Sequence, residues 1–391
     1  MTYCNCQVAS LCVLHCSIGA GGLLLPQATF RHSIRGTAVI DLNSQFSQST
    51  VNDAEASHTD SCPKYSMLGK IGLEEHFAIP ETVDVSKGPL PADSWEELRM
   101  RLLDIQDKRL RLMDEHGIEM MLLSLNSPAI QAIPDVKQAI DIARISNDYL
   151  AAEIAKRPNR FAGLAAVPLQ DAEAAAKELT RCVRDLGFKG VLVNGFSQAA
   201  DPNRPLYYDM PSYLSFWEVM ERLDVPFYMH PRRALPQDSR IYEGHRWMTG
   251  AAWGFAHETA VHALRLMASG LFDRHPRLTI VLGHLGEGLP AGIWRVDNCN
   301  AWAIKKHDYP AKKKLAEYFL ANFYITTSGN FRTQTLIGAM LEVGADRIMF
   351  SIDWPFENID HASTWFDAVP ISEADRLKIG RTNALRVFKL G

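Results

Sequence analysis

Two imidazoles and two carboxylates brought to one point can hold a divalent cation, and this sequence sets such groups at the ends of apolar runs. One run closes in Glu74-Glu75-His76. Others close in His230-Pro231-Arg232, Gly283-His284-Leu285-Gly286-Glu287 and Asp353-Trp354-Pro355. Ionisable groups at such ends are costly to desolvate unless they pair or bind a cation. Side chains two apart in a strand share a face, so Glu74 and His76 point one way and Glu75 the other. With His230 and Asp353 they form a nitrogen-and-oxygen set suited to one divalent ion, Zn²⁺, Mn²⁺ or Mg²⁺, with positions left for substrate or water. Each residue alone has a plainer reading. His230 could pack on a rim, Asp353 cap a turn, Glu74 pair with Arg232, and His284 pack in a glycine-rich turn. Coincidence at four strand ends favours the site.

Eight strand-like runs carry these ends: 70–76, 118–125, 161–169, 188–195, 225–231, 278–286, 323–329 and 347–355. Amphipathic stretches such as "DVKQAIDIARISNDYLAAEIAKRP" and "DAEAAAKELTRCVRDLG" separate them, closed by Gly or Pro where the chain should reverse. Alternating strands and helices, with strands apolar on both faces, predict a parallel sheet. Eight units in about 320 residues predict an α/β fold, the (β/α)8 TIM barrel, whose active sites lie at the C-terminal ends of the strands. An open doubly wound sheet is the alternative. It usually carries a Gly-rich phosphate turn after strand 1, where this chain reads "GLEEHF".

With a net charge of −4 over 391 residues, the chain has no electrostatic footprint for nucleic acid or an anionic membrane. The one basic cluster, Lys312-Lys313-Lys314, falls in a helix-like stretch and reads as a solvated face. No apolar run approaches the ~20 residues that span a bilayer. Five of the seven cysteines precede residue 67, so the remainder has no disulfide framework, which suits the cytoplasm. The head contains a signal-like apolar stretch, "ASLCVLHCSIGAGGLLL", but no Lys or Arg precedes Arg31. Residues 1–66 read as a disordered extension or the product of an upstream start, and 67–391 as a single barrel domain.

The motifs "GKIGLEEHFAIPET", "YMHPR", "LGHLGEGLP" and "SIDWPFE" together resemble the metal-dependent hydroxybenzoate decarboxylases of the amidohydrolase superfamily. The resemblance runs from about Met67 to the C-terminus. It is nearest to the 2,3-dihydroxybenzoate and the γ-resorcylate (2,6-dihydroxybenzoate) decarboxylases. It implies that Glu74, His76, His230 and Asp353 surround one metal ion, with no organic cofactor, and that His284 and Glu287 assist Asp353 in proton transfer. Strand 1 carries Glu-x-His where hydrolytic members carry His-x-His, and strand 4 ends without the lysine that two-metal members carbamylate. A single metal is therefore implied.

The implied reaction is non-oxidative loss of CO₂ from a hydroxybenzoate, with 2,3-dihydroxybenzoate giving catechol as the first expectation. The γ-resorcylate and salicylate isomers share its chelating carboxylate and ortho-hydroxyl. A direct loss of CO₂ would leave a strongly basic aryl carbanion. Protonating the ring carbon first avoids this, with Asp353 as donor and His284 and Glu287 as its supply. Phe77, Trp253 and Phe356 are candidates for an aromatic slot and Arg295 for a partner of substrate oxygens. A homo-oligomer, dimer or tetramer, follows from the resemblance alone. Two rivals remain: a metal-dependent lactonase on the same barrel, separated by the absence of CO₂, and a catalytically silent barrel, separated by the absence of bound metal.

Overall fold

The computed structural model describes residues 66–88, 90–198, 200–201, 204–303 and 310–391. The expected N-terminal extension falls, but for Ser66, outside the described residues. Eight parallel strands run in chain order: β1 (Lys70–Phe77), β2 (Ile118–Leu125), β3 (Phe161–Ala165), β4 (Gly190–Asn194), β5 (Phe227–His230), β6 (Ile280–Leu282), β7 (Phe323–Thr326) and β8 (Ile348–Met349). Each pairs with the next, from β1·β2 through to β7·β8. The ring closes between the segment after β8 and β1, where His76 N donates to Trp354 O at 2.6 Å and Glu74 N to Ser351 Oγ at 2.8 Å. This is the expected barrel.

Helices cover the outside, and their ends follow local chemistry. Asp135 caps helix Val136–Lys156 by accepting from Gln138 N. Asp171 caps Ala172–Arg184 through the N–H groups of Glu173 and Ala174. The long amphipathic stretch after β1 is two helices, Ala92–Leu103 and Lys108–Glu115. It breaks at Asp104, whose carboxylate takes the N–H groups of Asp107 and Arg109. Lys312–Lys314 precede helix Leu315–Asn322 rather than lying within it.

The barrel interior is filled below the rim by Ile71, Leu73, Leu122, Leu164, Leu192, Tyr228, Val281, Tyr324 and Met349, stoppered by Ala384, Phe388 and Leu390. A register shift between Gly72 and Glu75 resets the alternation of β1. Leu73 therefore packs in that interior cluster while Glu74 and His76 also face the axis.

Several strands stop sooner than their apolar runs. The run 278–286 is strand only to Leu282, because the chain then turns with His284, Leu285 and Glu287 at φ of 51°, 56° and 55°. Such left-handed backbone in non-glycine residues costs on the order of 1–3 kcal/mol each and persists where surrounding bonds fix it. Here Leu285 N donates to Thr326 O at 2.7 Å, Gly286 N to Gly283 O at 2.7 Å and His284 N to Ser328 Oγ at 3.1 Å.

Candidate metal centre and cavity

Glu74, His76, His230 and Asp353 each bring one ligand atom into a group lying within 4.8 Å of one another. His230 Nε2 lies 3.2 Å from Glu74 Oε1, and His76 Nε2 lies 3.3 Å from Asp353 Oδ1. Glu74 Oε1, His76 Nε2 and Asp353 Oδ1 are buried with no hydrogen-bond partner. Buried polar atoms left in this state are costly, and several aimed at one point fit a cation. The residues therefore fit one divalent ion.

The other side of each ligand is held. Glu74 Oε2 accepts from Ser328 Oγ at 2.6 Å and from Tyr228 Oη, leaving Oε1 for the centre. Gly283 makes this approach possible, since a Cβ there would overlap Glu74 Oε2. His76 Nδ1 meets Ser124 Oγ at 3.2 Å, which presents Nε2 inward. Burial and the neighbouring His230 lower the His76 value, favouring the neutral imidazole that ligation requires. Burial pushes the Glu74 carboxyl up, but His284, His230 and His76 together hold it below the usual carboxylate range.

His284 stands beside this group. Its Nε2 lies 3.5 Å from Asp353 Oδ2 and 3.6 Å from Glu74 Oε1, while its Nδ1 bonds Glu287 Oε1 at 2.7 Å. Burial works against its charge, yet Glu287, Glu74 and Asp353 raise its value well above that of an ordinary histidine. The charges around His284 thus favour its protonated form beside Asp353.

A cavity of about 740 Å³ opens over the centre, lined among others by His230, Arg232, Trp253, Phe255, Asp353 and Phe356. The Phe356 ring meets His76 edge-on at 5.6 Å. Trp253 and Phe356 therefore wall the cavity, but Phe77 and Arg295 do not. Phe77 is buried among the outer core residues, stacked on Tyr149 at 6.1 Å, because it alternates away from His76. Arg295 stands exposed on helix Leu289–Ala303, off the stripe of Leu289, Gly292 and Val296 that lines the cavity. Arg232 does not pair with Glu74; its guanidinium binds the carbonyls of Gln131 and Phe196 and the Gln198 side chain. His262 is a core histidine that accepts from Tyr208 N at 3.2 Å.

Sequence reasoning passed over Tyr228, Ser124 and Ser328. The signal was present in the polar end of "FYITTSG", where Thr326, Thr327 and Ser328 are all fully buried at a strand terminus.

Residues 92–390 match the amidohydrolase family. The chain belongs to that family. A gamma-resorcylate decarboxylase from a Rhizobium species is 68% identical over 324 residues, 83% of this chain and 99% of that protein. A solved structure of 2,6-dihydroxybenzoate decarboxylase complexed with 2,6-dihydroxybenzoate is 68% identical with a TM-score of 0.81, covering 83% of this chain and 100% of the other. Another, a dihydroxybenzoic acid decarboxylase from a Polaromonas species with bound manganese and the inhibitor 2-nitroresorcinol, is 63% identical with a TM-score of 0.81, covering 83% and 97%. Within the family the chain lies in the hydroxybenzoate decarboxylase branch.

Removing the ion should leave two carboxylates and two imidazoles facing one another in a nearly dry site. Dialysis against a chelator is expected to preserve the far-ultraviolet dichroism but lower the melting temperature, and added Mn²⁺ to restore it. A melting temperature indifferent to both chelator and Mn²⁺ would remove the ion from this site.

Proposed function

We propose that this protein is a metal-dependent decarboxylase of 2,6-dihydroxybenzoate, releasing CO₂ and 1,3-dihydroxybenzene. The observation that carries the reading is Asp353, set between the cation group and His284 at the floor of an aromatic-walled cavity. The 2,3 isomer, first in the expectation from sequence, gives way here to the 2,6 isomer. The high-identity relatives bearing that substrate's name support the change.

A divalent ion held by Glu74, His76, His230 and Asp353, for which the relative's manganese makes Mn²⁺ the first choice, supplies a Lewis-acidic centre for chelating the substrate carboxylate and an ortho oxygen. Phe356 and Trp253 give the cavity aromatic surface for the substrate ring. His284 Nε2 gives its proton to Asp353 Oδ2, and Asp353 passes it to the ring carbon that bears the carboxylate. The bond from that carbon to the carboxylate then breaks, its electron pair restores the aromatic ring, and CO₂ leaves. One proton is consumed per turnover, and His284 recovers it from solvent while Glu287 holds the imidazolium in place.

The test is a panel of 2,6-dihydroxybenzoate, 2,3-dihydroxybenzoate, salicylate and an aryl lactone, each with Mn²⁺, Mg²⁺ or Zn²⁺. Measured CO₂ release is expected to be fastest with the 2,6 isomer. Faster release from the 2,3 isomer would reverse the substrate order; lactone opening without gas would make the protein a hydrolase.

The reading includes a homo-oligomer. Ile241, Trp247 and Trp253 are 69%, 69% and 59% exposed in the segment between β5 and helix Gly254–Ala268, an apolar surface that a second copy would cover. Light scattering should give a multiple of the chain mass, and a monomer at micromolar concentration would remove this part. Free thiols at Cys182 and Cys299 accord with a reducing, cytoplasmic setting, which cell fractionation would test. No helix among the described residues is long and apolar enough to cross a membrane.

A further inference from the structure

The middle residue of Glu74-Glu75-His76 has no place in the cation group, yet its side chain is fully buried. Glu75 Oε1 accepts from Ile352 N at 3.0 Å and from Ser351 Oγ at 3.3 Å, and Oε2 accepts from Trp354 N at 3.2 Å. The two backbone donors are the amides on either side of Asp353. Asp353 itself sits at φ 80°, a backbone region that non-glycine residues enter only when neighbours hold them there.

The surroundings favour this grip over a chance contact. Gly72 clears the space, since a Cβ there would overlap Glu75 Oε1. Burial raises the Glu75 carboxyl to about 8, outweighing the two amides and Arg109, which is also fully buried and whose guanidinium donates to His76 O and to Asp104 O. Asp353 has two duties that depend on its angle. Oδ1 faces His76 Nε2 at 3.3 Å within the cation group, and Oδ2 faces His284 Nε2 at 3.5 Å.

We propose that Glu75 is a positioning residue: the two oxygens of its carboxyl group clamp the amides of Ile352 and Trp354 and so fix Asp353 between the cation and His284. Glu75→Gln puts this to the test. A glutamine offers one acceptor oxygen, so one of the two amides is left facing an NH₂ group. The effect on metal affinity depends only on the cation group; the effect on turnover rests on the decarboxylase reading.

Mn²⁺ binding by calorimetry is expected to weaken about 10- to 100-fold in Glu75→Gln, the usual effect of removing an outer support of a metal ligand. With saturating Mn²⁺ and 2,6-dihydroxybenzoate, kcat should fall at least about tenfold while KM stays within about twofold. The deciding comparison is the double variant. In an Asp353→Ala background, Glu75→Gln should cost no further Mn²⁺ affinity, because the residue it acts through is gone. Wild-type Mn²⁺ affinity in Glu75→Gln, or an equal loss in both backgrounds, would overturn the proposal. If Glu75→Gln does not fold, Gly72→Ala takes its place, pushing Oε1 off the Ile352 amide while keeping the carboxyl group itself. It is expected to weaken Mn²⁺ binding only when Asp353 is present, and unchanged binding would overturn the proposal equally. Loss of Mn²⁺ affinity with no decarboxylation in any variant, wild type included, would sink the functional reading and leave the clamp intact.

Discussion

Asp353→Asn is expected to keep its metal and lose about 10²- to 10⁴-fold in kcat, the range that a positioned acid contributes. Asparagine retains an oxygen where Oδ1 faces the cation group, and the clamp from Glu75 acts on backbone amides that the substitution does not touch. The amide cannot accept a proton from His284 and release it to carbon. Two measurements together separate the roles of the residue. Metal content by mass spectrometry should be near one ion per chain, while CO₂ release should be almost abolished. Turnover at the wild-type rate would take Asp353 off the proton path. Loss of metal and turnover together would make it primarily a ligand.

The barrel was legible because its pattern is repetitive. Eight apolar runs separated by amphipathic stretches leave few architectures, and all eight runs contain a strand. The cation group was legible for the same reason: strand ends converge in such a barrel, so residue type at each end was enough to assemble Glu74, His76, His230 and Asp353. What failed depended on contacts. The bulge in β1 and the left-handed turns at His284 and Asp353 are set by bonds to distant partners, Thr326, Ser328 and Glu75, that local pattern does not encode. Phe77 could have been rejected, since the alternation that sends Glu75 away from Glu74 sends Phe77 away from His76. Arg295 could not, because which stripe of its helix meets the cavity is settled only by packing. Glu75 looked idle for a related reason: its partners are backbone amides, which leave no signature in side-chain chemistry.

The pH dependence of the reaction should report on His284, and its direction follows from the charges around the ring. Against the pull of burial, three carboxylates raise the His284 value and so favour the protonated imidazole. A proton donor of this kind is competent below its folded value and lost above it, so kcat should fall as pH rises through that value. With the cation bound, Glu74 and Asp353 direct their charge toward the ion, which leaves Glu287, at 2.7 Å from Nδ1, as the main support of the imidazolium. Glu287→Gln removes that charge but keeps an acceptor, so the alkaline limb of the kcat profile should move to lower pH with metal content unchanged. His284→Ala should go further, lowering kcat about 10²- to 10⁴-fold at every pH and flattening the limb. An alkaline limb that stays in place in Glu287→Gln would assign the titration to another group. A loss of metal in His284→Ala matching the loss of turnover would make His284 a ligand, and the proton would then have to reach the ring by another path.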